Sequence, residues 1–167
     1  MQTLVIRPAT PADIDAIADV VLRAKRANWH TFIAPEIINT PPKINVDATP
    51  TLFHLVAEIN GHIVGTVSAT TKSFKPYFAD KGFAELATAY VDPANARHGI
   101  GRALFNAVCA ELRARNSTKM VVGTFADNRA ARHAYESWGF SPHPHTEYRP
   151  HENQTTVFLT LDIAPIH

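Results

Sequence analysis

The sequence predicts an α+β fold of three layers (α/β/α), with helices on both faces of a central mixed, largely antiparallel sheet. Two strand-like runs joined by Asn60-Gly61 predict an antiparallel hairpin near the middle of the chain. Later in the chain, helices alternate with strands, and this order requires at least one crossover connection. The 167 residues, 46% of them hydrophobic, suffice to bury a core, and we expect one domain over residues 1–167.

The first half of the chain is predicted to contain one long helix. Thr10, Pro11 and Asp13 are typical of a helix start, because threonine caps a helix, proline fits its first turn and an acid favours the dipole. Apolar residues at helical spacing continue the helix through Leu22. Prolines interrupt residues 30–51, where we expect one or two short helices within a loop. The strands predicted for this half cover residues 3–7, 53–59, 62–70 and 85–91, with a loop over 71–82.

The second half is predicted to begin with the crossover helix, which Gly99 opens and whose apolar stripe extends to Leu112. A buried strand follows over 120–125, and then a short helix over 128–137. Gly139 is a typical stop for that helix. The last two strands are expected over residues 140–149 and 155–161.

Composition argues against several classes of protein. The net charge of +1 lacks the basic excess expected of a protein that binds nucleic acid through phosphates. No stretch approaches the ~20 apolar residues of a membrane span, and the first residues do not form a signal peptide. Cys109 is the one cysteine, so an intrachain disulfide and a cysteine-based zinc site are excluded. We therefore expect a cytoplasmic protein without nucleic-acid or membrane partners.

The stretch VDPANARHGIGRAL, residues 91–104, combines a strand end, a short loop and a helix start with two glycines two residues apart. Such a loop lets backbone N–H groups approach a diphosphate, and the helix dipole favours its charge. Arg97, His98 and Arg102 add side-chain donors. Leu104 stands where a dinucleotide fingerprint has its third glycine, and no Gly-Lys-Ser/Thr follows as in a P-loop. Alone, the two glycines fit tight helix packing equally well.

A second motif, NRAARHAYESWGF at residues 128–140, begins a helix directly after a buried strand. Alone, it is typical of an asparagine cap followed by an aromatic core anchor. Together and in this order, the two motifs resemble those of the GNAT superfamily of N-acetyltransferases. The resemblance covers nearly the whole chain. It implies a GNAT-like fold and an N-acetyltransferase that uses acetyl-CoA as its acyl donor and no metal.

The resemblance also implies which residues hold the donor. The strand around Ala89, Tyr90 and Val91 pairs with the pantetheine arm, the Val91 N–H is an oxyanion donor, and Asn128 contacts the same arm. The remaining cofactor-binding positions are Ala96, Arg97, His98, Gly99, Ile100, Gly101, Arg102 and Ala131. The sequence departs from the family at Ala96, where a glutamine or arginine is usual. We expect the site to survive, with Arg97 compensating and with weaker cofactor affinity.

Direct transfer from thioester to amine, without an acyl-enzyme, is the mechanism that the resemblance implies. An alkyl amine has a pKa near ~10.4, so removing its proton at pH 7 costs roughly 4–5 kcal/mol and requires a base or a water chain. Tyr135 matches the family's tyrosine near the coenzyme A sulfur. Its ordinary pKa of about 10, against about 8.5 for a thiol, favours a hydrogen-bond donor to the thiolate over an acid.

The general base is predicted to be Glu85, since many relatives place a glutamate at the start of this strand. Strand alternation places Glu85, Ala87 and Ala89 on one face, although an exposed edge charge fits Glu85 as well. His133 and the C-terminal histidines are the other candidates for the base. Cys109 is expected to be a small buried hydrophobe. The histidines at 143, 145 and 151 are expected to be solvated loop residues rather than metal ligands.

The acceptor is expected to be a small amine bound by residues of 25–51 and 71–82. Trp29, Phe32 and Tyr77 are the predicted substrate-binding residues, and with Phe74 and Phe78 they form an apolar wall there or else belong to the core. Two alternatives stay open. A protein or peptide acceptor predicts an open groove beside the cofactor, and a coenzyme A-binding module predicts no transfer. A homodimer through the final strands is also plausible.

Overall fold

The structure is a computed structural model, and it describes residues 3–163. Within these residues, seven strands form one mixed sheet in the order β1-β2-β3-β4-β5-β7-β6. Neighbouring strands are antiparallel except β4 and β5, which are parallel. The predicted α+β fold with a largely antiparallel sheet is therefore confirmed. The strands are β1 (Leu4–Pro8), β2 (Leu52–Ile59), β3 (His62–Thr70), β4 (Ala84–Val91), β5 (Lys119–Phe125), β6 (Ser141–Arg149) and β7 (Gln154–Asp162).

Helices cover both faces of this sheet. They are α1 (Ile14–Trp29), α2 (Pro35–Ile38), α3 (Pro76–Ala79), α4 (Ile100–Ala114) and α5 (Arg129–Ser137), with 3-10 turns at Pro11–Asp13 and Pro93–Asn95. The four-residue helix α3 lies inside the stretch that the sequence predicts as a loop. In the described part of the chain, no helix is long and apolar enough to cross a membrane.

The parallel pair β4 and β5 is joined by α4, which is the predicted crossover helix. Residues of α4 at helical spacing are buried, and with the tyrosine of α5 they form the main core against one sheet face. The α1 helix packs against the opposite face through Ile17 and Val21, which contact Val56 of β2 and Tyr90 of β4. A third apolar cluster joins Phe78 of α3 to Val121 and Phe158. The two sheet faces therefore have separate cores, with β4 contributing to both.

A β-bulge in β4 changes the predicted alternation of its side chains. Ser68 of β3 pairs with Thr88, and the next residue, Ala69, pairs with Leu86, so Ala87 is an extra residue on β4. The alternation therefore shifts by one position after Leu86. Leu86 and Ala89 both pack into the core on the α4 side, and Tyr90 packs into the α1 side. The prediction that Glu85 shares a face with Ala89 is wrong because of this bulge.

The start of α1 is held by a closed network of charges. The Asp13 carboxylate, on a residue that is 8% exposed, accepts hydrogen bonds from the Thr10 N–H (2.8 Å) and from both Arg7 guanidinium nitrogens (2.8 and 2.9 Å). Arg7 also forms an ion pair with Glu58 at 3.1 Å. Hydrogen bonding from Arg7 holds the pKa of Asp13 well below its usual range, against the opposing effect of burial. The acid at this helix start is thus engaged by protein groups on both of its oxygens.

Candidate active site

The parallel strands β4 and β5 separate soon after they begin to pair. Only Ala84, Glu85 and Leu86 of β4 have partners on β5, although β4 continues to Val91 and β5 to Phe125. The gap that opens beyond Leu86 is part of a cavity of about 1070 Å³. Its lining includes the end of β4, the starts of α4 and α5 and the end of α1. The splayed pair therefore creates an opening within the sheet itself.

Backbone groups of β4 face this gap without a strand partner. The Asp92 N–H donates to the Val64 carbonyl of β3 at 2.8 Å. Because successive N–H groups of a strand point to opposite edges, the Val91 N–H is directed away from β3 and toward the gap. Ala89, Tyr90 and Val91 all line the cavity. This edge is therefore able to form main-chain hydrogen bonds with an extended ligand, and its role in binding the pantetheine arm stays a prediction.

The loop that precedes α4 leaves the helix N-terminus open. Arg97 and Gly99 both have positive φ, 66° and 76°, so the loop turns sharply just before the helix. The first helical hydrogen bond runs from the Ala103 N–H to the Gly99 carbonyl at 3.0 Å. The N–H groups of Ile100, Gly101 and Arg102 consequently have no acceptor among the described residues. Free N–H groups at the positive end of a helix dipole form a binding site for a phosphate group.

The two glycines of this loop have different roles. Gly99 requires its positive φ, and a Cβ at this position meets no atom within 4 Å. Gly101 is needed for packing, because its Cβ would lie 3.2 Å from the Trp138 ring. Tight packing is thus confirmed for Gly101, while the approach of a phosphate to Gly99 stays a prediction. The Ala96 N–H is held by the Pro93 carbonyl at 3.3 Å, so it is not free for a ligand.

The three side chains predicted to bind the diphosphate, those of Arg97, His98 and Arg102, differ in their access to the cavity. Arg97 is exposed, lines the cavity and forms no ion pair with a described residue. Arg102 also lines the cavity, but it donates to the Ser137 carbonyl at the end of α5 (3.1 Å). His98 is exposed and is not among the lining residues. Arg97 is therefore the side-chain cation most available to a phosphate in this loop.

Helix α5 begins at the cavity with its own cap. The Asn128 side-chain carbonyl accepts from the Ala131 N–H at 3.2 Å, and both residues line the cavity together with Ala134. The Asn128 amide nitrogen makes no hydrogen bond within the described residues, and no buried polar side-chain atom there lacks a partner. That amide is therefore accessible and able to donate to a ligand carbonyl. The small side chains of Ala131 and Ala134 leave space beside it.

Tyr135 lies in the main core and reaches the cavity. The residue is 9% exposed and packs edge-on against Trp138 and Phe140. Its hydroxyl has no hydrogen-bond partner among the described residues, so it is accessible from the cavity. Burial, together with the nearby Tyr90, raises the pKa of Tyr135 above its usual range. Burial also raises the pKa of Tyr90 to about 12. Both hydroxyls therefore stay protonated at neutral pH and can donate hydrogen bonds.

Glu85 lies where β4 and β5 are still paired, and it is the one acidic residue that lines the cavity in the described part of the chain. Its carboxylate accepts a hydrogen bond of 2.5 Å from the Ser73 hydroxyl. It is half-buried, and alternation from Leu86 directs it to the α1 side of the sheet. His133 also lines the cavity, from α5. Glu85 is thus the carboxylate positioned to accept a proton there.

The predicted aromatic residues of the acceptor pocket are only partly brought together. Trp29 lines the cavity and packs edge-on against Phe125, with 5.1 Å between the ring centroids. Its ring centroid lies 6.5 Å from that of Tyr90. Phe32 packs edge-on against Phe125, with 6.2 Å between the ring centroids, but it does not line the cavity. The contribution of Phe125 was not predicted from the sequence, in which it is simply the last residue of a buried strand.

Tyr77 lies outside the cavity lining, between a histidine and a lysine. It stacks on His145 at 3.8 Å, and the Lys81 ammonium lies 3.6 Å from its ring centroid. Phe78 is fully buried in the core. Phe74, which is 63% exposed, lines the cavity in their place. Of the predicted aromatic wall, Trp29 and Phe74 therefore line the cavity, and Tyr77 and Phe78 do not.

Two other sequence-based interpretations concern cysteine and histidine. Cys109 is buried in the main core, outside the cavity, and burial raises its thiol pKa, as expected for a structural residue. The prediction that His143 and His145 are solvated loop residues is wrong, because both are half-buried in β6 and pack against Tyr77 and Phe78. The His143 ring accepts a hydrogen bond from the His145 N–H (3.0 Å), and His145 contacts Glu147 (2.9 Å). Among the described residues no cluster of three or more potential metal ligands occurs.

The fold and the site define an α+β protein in which a splayed strand pair and an open helix N-terminus leave room for an extended, phosphate-bearing ligand. The sequence model of the acetyltransferase (GNAT) family matches residues 16–140. The chain therefore belongs to the GNAT family of N-acetyltransferases, whose acyl donor is acetyl-CoA. No curated protein sequence matches the chain significantly.

Solved structures agree with this fold. The ribosomal-protein-S18-alanine N-acetyltransferase of Escherichia coli is 19% identical, with a TM-score of 0.72 over 99% of this chain and 97% of that one. Nourseothricin acetyltransferase is 17% identical, with a TM-score of 0.70 over 96% and 99% of the two chains. The protein yncA of Salmonella typhimurium, solved with acetyl-CoA, is 21% identical, with a TM-score of 0.69 over 99% and 96%. These structures include one acetyltransferase named for a ribosomal protein and one named for nourseothricin.

Proposed function

We propose that this enzyme transfers an acetyl group from acetyl-CoA directly to the amine of a small molecule. The observation that carries the proposal is the gap between β4 and β5, which joins an open helix N-terminus to an aromatic-lined space. The ligand phosphates would bind the free N–H groups at the start of α4, with Arg97 beside them. The pantetheine arm would follow the unpaired edge of β4, with Asn128 opposite.

The size of the cavity and its aromatic lining support a small molecule over a protein tail. Trp29 and Phe125 both line the cavity and pack edge-on against each other. Outside the lining, the Gln154 side chain donates to the Phe32 carbonyl at 3.3 Å, which links the loop after α1 to the start of β7. An extended peptide would need an open groove. The cavity of about 1070 Å³ can hold part of the donor and a compact acceptor.

The residues that line the cavity would then assist each part of the reaction. Acetyl-CoA supplies the acetyl thioester. Glu85 accepts the proton that the attacking amine loses, directly or through water. The Val91 N–H is available to the oxyanion. Tyr135 donates a hydrogen bond to the leaving sulfur. Its raised pKa makes it a poor acid, which supports the donor role over full proton transfer.

Calorimetric titration and thermal shift with acetyl-CoA, coenzyme A and NAD test the cofactor. A ligand at 100 times its dissociation constant adds about 2.7 kcal/mol to the stability of the folded protein. We expect both coenzyme A forms to stabilise the protein and NAD to have no effect. Thiol release with a panel of small amines and N-terminal peptides then tests the acceptor. Faster turnover of the peptides would support the protein-acceptor alternative, and binding without turnover would support an inactive module.

Substituting Tyr135→Phe tests the role of its hydroxyl. Losing a hydrogen bond to a charged sulfur costs about 1.5–3 kcal/mol, so kcat should fall about 10- to 100-fold while the Kd for acetyl-CoA stays the same. Glu85→Gln should lower kcat/KM and remove the acidic limb of the pH profile. The matched control is Cys109→Ala, because Cys109 lies outside the cavity. Loss of activity in that variant without loss of stability would instead indicate an acyl-enzyme.

A further inference from the structure

A second, smaller cavity of about 460 Å³ adjoins the candidate active site on the α1 side of the sheet. The two cavities share lining residues at Thr66, Phe74, Thr88 and Tyr90, and also at the bulge residue Ala87. The smaller cavity is bounded by α1, the stretch before β2 and the central strands. A molecule held near Glu85 therefore has room to extend past Tyr90 into this space.

The charged residues that line the smaller cavity are all positive. Lys25 and Lys43 line it, and its described lining contains no aspartate or glutamate. Lys25 is half-buried, and its ammonium lies 5.0 Å from the Trp29 ring centroid. It has no carboxylate partner within the described residues, and burial lowers its pKa. A half-buried ammonium without a counter-ion is costly, and an anionic ligand would offset that cost.

Two other basic side chains, which line the larger cavity, already form ion pairs. Lys75 lies 3.8 Å from Glu147, and Arg149 lies 3.5 Å from Glu152. These carboxylates offset part of the charge that Lys75 and Arg149 could offer to an anion. Lys43 lines the smaller cavity but is exposed. Lys25 is therefore the half-buried cation in this region that has no carboxylate partner among the described residues.

Hydroxyl groups complete the lining of the smaller cavity. Ser68 and Thr88 form a hydrogen bond of 2.7 Å, in which one hydroxyl donates to the other, so one O–H hydrogen of the pair remains for a ligand. His54 is fixed between the Asn45 carbonyl (3.1 Å) and the Thr66 hydroxyl. Because a carbonyl can only accept, the histidine Nδ1 carries the proton that it donates to Asn45. The cavity thus presents donors and cations.

We propose that the acceptor amine carries a carboxylate, which binds in the smaller cavity against the Lys25 ammonium. This inference rests on the proposed function, and it narrows the acceptor to an amino-acid-like molecule. Its amine would face Glu85 in the larger cavity, and its carboxylate would accept hydrogen bonds from Lys25 and the Ser68–Thr88 pair. A polyamine is disfavoured, because its second ammonium would lie beside two lysines. Lys43 is exposed and contributes attraction at the rim.

Acceptors that share a side chain and differ at the carboxylate test this inference. Leucine, leucinamide and 3-methylbutylamine would be compared as acceptors by thiol release. We expect kcat/KM for leucine to exceed those for the two analogues without a carboxylate by about tenfold or more, as charge-assisted hydrogen bonds allow. Compared with the neutral amide group, the carboxylate raises the pKa of the adjacent amine, so easier proton loss would favour leucinamide instead.

The variant Lys25→Met keeps the length of the side chain and removes its charge. It should lower kcat/KM for leucine about 10- to 50-fold and change that for 3-methylbutylamine less than about threefold. Lys25→Arg should restore most of the preference. Lys43→Met, at the exposed rim, should lower leucine turnover about threefold or less. An equal loss for all three acceptors in Lys25→Met, or no preference in the wild type, would overturn the proposal.

A binding experiment separates this inference from the proposed function. 4-Methylpentanoate, which has no amine, and its amide would be titrated calorimetrically into the protein alone and with coenzyme A. We expect the acid to bind about tenfold more tightly than the amide in the wild type and equally weakly in Lys25→Met. Equal binding in the wild type would overturn the proposal even if acetyl-CoA bound normally. Failure of acetyl-CoA to bind would overturn the proposed function and would leave this titration to decide on the smaller cavity.

Discussion

Two helices of this protein begin in opposite ways. At the start of α1, the Asp13 carboxylate takes up the Thr10 N–H and both Arg7 nitrogens within 2.9 Å. At the start of α4, the N–H groups of Ile100, Gly101 and Arg102 have no acceptor within residues 3–163. Both ends carry the positive pole of a helix dipole. One is neutralised by the protein, and the other is left for an anion from outside.

The difference shows how stability and binding are divided in this fold. A closed start stabilises the folded chain in every state. An open start stabilises only the liganded state, and until then water must satisfy its N–H groups. Gly99 keeps the α4 start open, because it has no side chain with which to cap the helix and its φ of 76° disfavours most other residues. Changing one start should therefore affect folding, and changing the other should affect binding.

The largest effect is expected from placing an acid at the open start. Gly99→Asp and Gly99→Asn add side chains of equal size, and both residues tolerate positive φ better than most. The carboxylate should compete with the phosphates of acetyl-CoA and repel them. We expect calorimetric titration to show about 100-fold weaker binding for the Asp variant and about tenfold for the Asn variant. In the unliganded protein, the Asp variant should be the more stable of the two by about 0.5 kcal/mol.

Equal affinities for these two variants would contradict the comparison, since charge would then play no part at this helix start. Both side chains have space, because a Cβ at Gly99 meets no atom within 4 Å. Steric exclusion within the protein therefore would not explain a loss of binding. Far-ultraviolet circular dichroism of each variant checks that the fold is retained.

A smaller effect, on stability and not on binding, is expected from removing the Asp13 charge at the start of α1. Asp13→Asn removes the charge that pairs with Arg7 in a nearly buried position. We expect urea denaturation to show a loss of about 2 kcal/mol in the free energy of unfolding. The Kd for acetyl-CoA should change less than about twofold, because the two sites share no partners. Glu58 pairs with the same arginine from a more exposed position. Glu58→Gln should therefore lower the free energy of unfolding by only about 0.5 kcal/mol.

The pH dependence of the Asp13 variant provides its control. Hydrogen bonding from Arg7 lowers the pKa of Asp13 in the folded protein below the value of about 3.9 in the unfolded chain. A depressed carboxyl pKa contributes stability that is fully present above the unfolded value and lost as pH falls through the folded one. The stability difference between wild type and Asp13→Asn should therefore be constant above about pH 5 and shrink below about pH 4. A constant difference down to pH 2 would indicate a purely steric effect.

The sequence predicted the closed helix start and most elements of the sheet, because these depend on neighbouring residues. Threonine, proline and aspartate at positions 10, 11 and 13 form a cap within one turn. The Asn60-Gly61 hairpin and the stripe of α4 follow the same local rules. The two motifs at residues 91–104 and 128–140 identified the family because their order is specific. Local pattern thus sufficed wherever the partner residues are close in sequence.

Features that depend on distant packing could not be predicted. The bulge at Ala87 reverses the face of every later residue of β4, and nothing in the run ELATAY marks it. Trp138 lies 37 positions after Gly101, yet it decides that this glycine serves packing. The separation of β4 from β5, which makes the gap, is likewise a property of the assembled sheet. Lys25 begins the stretch 25–51 that was expected to bind the acceptor, but no pattern in the sequence marks it as a cation that lines a cavity.

An effect on binding smaller than that at Gly99 is expected at Arg97, an exposed residue of the loop before α4. Its side chain is exposed and forms no ion pair with a described residue, so removing it should leave the free energy of unfolding unchanged. Attraction between an exposed guanidinium and a phosphate is screened by salt, so Arg97→Ala should weaken acetyl-CoA binding about three- to tenfold at low ionic strength. Calorimetric titrations at about 20 and 500 mM salt should show this difference shrinking. If it persists in high salt, Arg97 acts by shaping the loop through its positive φ, and Arg97→Asn, which tolerates that conformation, should then restore most of the affinity.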